Sequence, residues 1–327
     1  MGVDDAATSV TRVDCGVPLM EVHPSHRKTW ISPDVGGARR LLFESDAGYN
    51  EANIYAMPSL ILKGQITGFD EPQGECSDKS GSVWVANTLA AQIVQLSRNG
   101  SILTTLSDPG EISGQLRGGP TTGDLAVIDV LTTGSAPGNV EIYKNASGTP
   151  TPLCPGDVRY FFAGFDGKGD LMVSGINNVG FQLCYGRSKS LVRISLSGGT
   201  IILPGTVQWS SVDNYWNVFD QQCNVTFAAC DYRVTVAGSA GTITGVTTPE
   251  NYKGAAVCDL VQGVVAANGQ RYIAGADYEP SAYVCKESAG AATSVDRWAS
   301  PAGGLPTNFY SNAADMSEPI GAAISAK

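Results

Sequence analysis

Apolar residues along the chain come in short runs of four to seven, each cut off by a turn rich in Gly, Asn, Asp or Ser, and strict alternation inside many runs predicts strands. The clearest unit is "EPQGECSDKSGSVWVANTLAAQIVQLSRNGSILTTLSD", residues 71 to 108. It reads as a small-residue strand, the turn "KSGS", the apolar strand "VWVAN", and a hairpin around "RNGS". The same turn and strand return as "PTTGDLAVID", "DGKGDLMVSG", "WSSVDNYWNVFD" and "AANGQRYIAG". Each is followed by a second hairpin: "NVEIYKNASGTPTPL", "SLVRISLSGGTIILP", "YRVTVAGSAGTITGV" and the stretch around "VDRWASPAGGLPT". The period is about 40 to 50 residues, the length of a propeller blade.

A sixth copy near the N-terminus, "RRLLFESDAG" followed by "NEANIYAMPSLILKGQITGF", lacks the first strand of the pattern. That strand is supplied by "EPIGAAISA" at residues 318 to 326, which echoes the "EPQGECSD" that opens the next blade. The expectation is an all-β, six-bladed propeller of four-stranded antiparallel blades over residues 37 to 327. Blade 1 combines about 39 to 69 with 318 to 326, and the C-terminal strand closes the ring and protects sheet edges that would otherwise be open. Residues 1 to 36 then form an extended N-terminal arm.

The "WVAN", "GDLAV" and "EPIG" signatures make this arrangement resemble the NHL-repeat propellers and the broader group of SMP-30/gluconolactonase-like propellers. The resemblance to the second group implies a Ca²⁺-dependent lactonase or phosphotriesterase, with a metal on the channel axis held by Glu, Asp and Asn side chains from different blades. Glu71, Asp259 and Glu318, with Glu111 nearby, would supply the carboxylates, and a hard cation there would polarise a carbonyl or phosphoryl oxygen. The blade-start asparagines of that group have no counterpart, and Asn87 lies at the far end of its strand. Strictosidine-synthase-like condensation is a third possibility, by analogy of fold alone.

Composition fits the strands. Gly (39) and Pro (17) are frequent, charged residues make up 16%, and no long run of helix formers occurs. With 31 acidic against 21 basic residues the net charge is −10, which disfavours nucleic acid and anionic lipid as partners. No apolar run is long enough to span a membrane. Eight cysteines without CxxC spacing, beside only two histidines, argue for disulfides and for a secreted protein, extracellular or periplasmic, in its mature form without a signal peptide. Cys223 and Cys230 have the spacing of a hairpin bridge; Cys154 with Cys184 and Cys258 with Cys285 are further pairings, and Cys15 and Cys76 remain, as a pair or as free thiols. Asn99, Asn145 and Asn224 lie in glycosylation sequons, which also arise by chance.

In a propeller the innermost strands line the channel, so polar residues at their openings are the first candidates for ligand contact: Glu71, Gln73, Glu111, Tyr160, Gln208, Asp259 and Glu318. Arg117, in the glycine-rich "EISGQLRGGP", suits an anionic group, and Tyr160 and Trp209 suit a sugar or flat ligand. A second ring, Asp46, Asn87, Asp129, Asp220 and Asp277, ends the following strands, where short acceptors usually bond to a turn. Glu44 stands where sister blades have Val127, Val173 and Val218; with Asp259 it is a candidate acid or base. His23 and His26 have no third ligand, and no GxSxG elbow or phosphate loop occurs. Two functions follow. One is a monomeric binding propeller holding a small molecule, carbohydrate or protein on its channel mouth and loops; the other is the Ca²⁺-dependent hydrolase.

Overall fold

Period-2 alternation buries both sides of each strand because each blade packs its two faces against its two neighbours. The computed structural model describes residues 28 to 327 apart from 109–111, 120, 132–136, 154–157, 188–189, 212, 222, 224–228, 258–259, 269 and 279–292. It shows six sheets built on antiparallel four-stranded blades. The innermost strands of blades 2 to 6 are Pro72–Ser77, Ile112–Gly118, Arg159–Phe165, Pro204–Ser210 and Gly263–Asn268. Apolar clusters fill the seams between blades. Leu41, Phe43 and Ile54 of blade 1 meet Val83, Val85 and Val94 of blade 2, while Leu42 and Tyr55 on the opposite face meet Val264, Tyr272 and Ala274 of blade 6.

The predicted closure is present. Ala323–Ala326 is the innermost strand of blade 1 and pairs antiparallel with Arg40–Asp46, Leu42 lying opposite Ile324 and Phe43 opposite Ala323. Pro319 adds a separate bridge to Asp46. Gly321 shows why the seam needs a glycine: a Cβ there would run into Ser45 Oγ and the Gln73 carbonyl. Blade 1 also carries a fifth strand, Trp30–Ile31, from the segment read as an arm; it pairs with Ile61–Thr67 and covers the blade's outer edge. Blade 5 gains a similar outer cover from Ser195–Ser197, which runs parallel to Ala240–Thr247.

Cys223 and Cys230 form the expected disulfide. Cys76 is a buried thiol whose pKa burial pushes up to about 12, with Arg117 nearby pulling the other way. Cys15, Cys154, Cys258, Cys285, His23, His26, Glu111 and Asp259 lie outside the described residues. None of the described helices is long and apolar enough to cross a membrane.

Candidate functional site

One rim of the ring is made by loops that enter the innermost strands and loops that join the second and third strands of each blade. A short acceptor stands near the end of the second strand at this rim in every blade but the fourth, which has Gly175 there. Asp46 accepts backbone N–H bonds from Ser317 (2.6 Å), Glu318 (3.0 Å) and Tyr49 (2.9 Å). Asn87 Oδ1 accepts from Asp70 N (2.6 Å), and Asp220 accepts from Ile202 N (2.8 Å) and Leu203 N (2.9 Å). The main partner is therefore the loop that enters the innermost strand of the same blade, more than the turn that follows the residue. Asp129 and Asp277 stand at the corresponding positions of blades 3 and 6, and the loops that would meet them include 109–111 and 258–259, outside the described residues.

Two glutamines lock neighbouring blades together on the channel side. A side-chain amide offers an acceptor and donors like those of a peptide group, so it can act as an extra rung beside a strand. Gln208 Nε2 donates to the Val265 carbonyl and its Oε1 accepts from Val265 N, both at 2.8 Å. Gln262 reaches further: its Oε1 accepts from Glu75 N (2.9 Å) and Ala322 N (3.1 Å), and its Nε2 donates to the Glu75 carbonyl. It thus ties blade 6, the C-terminal strand and blade 2 together. Gln262 was not singled out from the sequence, because "LVQGVV" reads as an ordinary strand entry.

The remaining sequence candidates divide by burial. Glu71 is buried at the mouth with its N–H bonded to Asn50 Oδ1 (2.8 Å), and Gln73 Nε2 donates to Glu71 Oε1 (3.4 Å). Glu318 is buried beside them through its bond to Asp46. Tyr160 is in the core of the seam between blades 3 and 4. Trp209 is half-buried edge-on to Trp216, with centroids 5.3 Å apart, between blades 4 and 5. Arg117 is half-buried on the innermost strand of blade 3, its guanidinium pKa lowered by burial, and it forms no hydrogen bond or ion pair among the described residues.

Glu44 is buried at 1% exposure, as its apolar sister positions are, and is held by Asn53 Nδ2 (2.9 Å). Burial pushes its carboxyl well above the ordinary range, and Asp46, Glu75 and Glu51 add to the shift. Glu75, on the innermost strand of blade 2, is fully buried with neither carboxyl oxygen hydrogen-bonded, and burial alone raises it strongly. Burial therefore favours the neutral form of both carboxyls over the charged one. Glu75 was not singled out from the sequence, because "EPQGECSD" reads as a small-residue strand whose pattern does not mark a buried acid.

The opposite rim holds a cleft of about 340 Å³ between blades 2 and 3, lined by Asp78, Trp84, Gln95, Thr104, Asp124 and Asn145 among others. Its carboxylates serve its own walls. Asp78 accepts from Ser80 N, Ser82 N and Gln95 Nε2, and Asp124 accepts from Asn145 N. Few polar groups are left to converge on a ligand.

No protein-family profile matches the chain, and no curated protein matches its sequence. Solved structures match over most of it. A chain from the crystal structure of a nidogen/laminin complex aligns with TM-score 0.62 and 10% identity over 88% of this chain and 98% of its own. A protein of unknown function from Bacteroides caccae aligns with TM-score 0.65 and 14% identity over 89% of this chain and 100% of its own. At these identities the likeness establishes the propeller fold.

Proposed function

We propose that this protein is a secreted, non-catalytic binding propeller whose loop rim holds a partner protein. The carrying observation is how the mouth is built: Asp46, Asn87, Asp220, Gln208 and Gln262 are turned onto the ring's own backbone. What the rim offers to the outside is its loop tips. Leu89 (52% exposed), Val179 (85%) and Ile202 (43%) project from loops on this rim, and Asp70 is exposed among them. Apolar tips on a chain of net charge −10 suit a partner with basic and apolar groups. The complex from which the nidogen chain comes and the disulfide Cys223–Cys230 fit an extracellular binding role. The likeness to NHL-repeat and SMP-30-type propellers is, on this reading, one of architecture.

The test uses the full chain as bait against secreted proteins of its source. A triple variant, Leu89→Glu with Val179→Glu and Ile202→Glu, should lose a partner that wild type and Lys79→Glu, altered on the opposite rim, both retain. Turnover of lactone or phosphotriester substrates that disappears in Glu71→Gln would replace this reading with the axial-metal hydrolase.

A further inference from the structure

Blade 3 repeats the polar ladder of blade 1 with a different set of residues. In blade 1 the face toward blade 6 carries Asp46, Glu51, Asn53 and Tyr55, with Asp46 opposite Glu51. Amides soften the charge there: Gln65, opposite Asn53 on the next strand, donates to Glu51 (3.0 Å), and Asn53 donates to Glu44. The corresponding face of blade 3, toward blade 2, carries Asp129, Asn139, Glu141 and Tyr143, with Asp129 opposite Asn139. In the strand register Pro152 stands opposite Glu141, where blade 1 has Gln65 opposite Asn53. A third acid, Asp108, arrives from the end of blade 2's outer strand.

The result is three carboxylates with an oxygen of each within 4.8 Å of the others, Asp108 and Asp129 fully buried and Glu141 at 9% exposure. The three together bring hard oxygen atoms to one point of the seam. A second observation points to a ligand. Asn139 shares the strand face of Glu141, lies directly across from Asp129 and is 7% exposed, and its Oδ1 accepts no hydrogen bond. A buried carbonyl oxygen beside three carboxylates completes a donor set made only of oxygen, which suits a hard cation and gives zinc no nitrogen or sulfur ligand.

We propose that the protein binds one Ca²⁺ between blades 2 and 3, held by Asp108, Asp129, Glu141 and the Asn139 amide oxygen. Four protein oxygens, with carboxylates able to bind through one or both atoms, match the flexible coordination of Ca²⁺ better than the strict octahedron of Mg²⁺. The ion ties the end of blade 2's outer strand to the middle strands of blade 3. It lies away from the channel axis, so its role is to stabilise the seam between blades 2 and 3.

Full-length protein stripped with EDTA and dialysed is titrated with Ca²⁺ by calorimetry and with Tb³⁺ by luminescence, Trp84 and Tyr143 in the adjoining core acting as antennae. The expected result is one site per chain, Tb³⁺ emission displaced by Ca²⁺ and a Tm that rises with Ca²⁺. Glu141→Gln removes a like charge, so in metal-free protein it should melt at or above wild type while its Ca²⁺ affinity falls at least about tenfold. Asn139→Ala should weaken Ca²⁺ in the same way and serves if the first variant does not fold. Absence of binding at millimolar Ca²⁺, or binding untouched by both variants and abolished by Glu71→Gln, would overturn the assignment.

Discussion

Replacing Asp46 by Ala tests how the ring is held shut. Its buried carboxylate latches the C-terminal segment through Ser317 N and Glu318 N, and the turn after its own strand through Tyr49 N. Two effects oppose each other. Burial raises the Asp46 pKa, so removing the group relieves a desolvation cost, yet the three N–H groups then lose their acceptor in a seam with little access to water. The second effect should win, because the backbone bonds already pull the pKa back down and no side chain replaces them. At about 1 to 1.5 kcal/mol net per bond the loss is about 3 to 4.5 kcal/mol. For a chain of this size that lowers Tm by roughly 4 to 7 °C. Asp46→Asn, which keeps one acceptor oxygen, should fall between. Scanning calorimetry gives the magnitude and hydrogen exchange the place: amides of Arg40–Asp46 and Ala323–Ala326 should lose protection first. A Tm within about 1 °C of wild type, with exchange at Leu42 and Phe43 unchanged, would refute the latch.

Glu75 gives a pH signature. Its folded pKa is raised above the ordinary glutamate value of 4.5, so the stability it contributes is complete below that value and is lost as pH rises toward the folded pKa. Tm should therefore decline above about pH 4.5, and Glu75→Gln should flatten the decline; parallel profiles would contradict a buried neutral carboxyl. Gly321→Val should unfold the ring or shift its Tm by more than about 6 °C (about 4 kcal/mol or more), since its side chain would collide with Ser45 and the Gln73 backbone, and a normally melting variant would deny the close approach. Gln262→Ala leaves the Glu75 carbonyl and two backbone N–H groups without their partner, and should cost about 2 to 4 kcal/mol by chemical denaturation.

The architecture was legible because it repeats. Five copies of a turn and strand, and a missing strand matched by residues 318 to 326, are properties of pattern, and the pairing of Arg40–Asp46 with Ala323–Ala326 follows from them. The chemistry was less legible because a residue's type does not say which way it turns. Gln208 and Tyr160 sit at strand openings as read, yet one bonds Val265 and the other packs into a core. Gln262 and Glu75 act through contacts between residues 187 positions apart, which no local spacing signals. Trp30 and Ile31 lie in a stretch with no second apolar run to mark a strand, so their pairing with blade 1 is decided by the edge they cover. Glu44 was visible as an oddity, and the structure supplies the reason, an amide partner in Asn53.

The most direct test of the rim as the binding face is hydrogen exchange on the protein alone and with its captured partner. The account predicts new protection in residues 88–91, 178–179 and 198–203, with residues 79–82 and 121–124 on the opposite rim unchanged. Protection confined to 79–82 and 121–124 would place the partner in the cleft between blades 2 and 3 and contradict it.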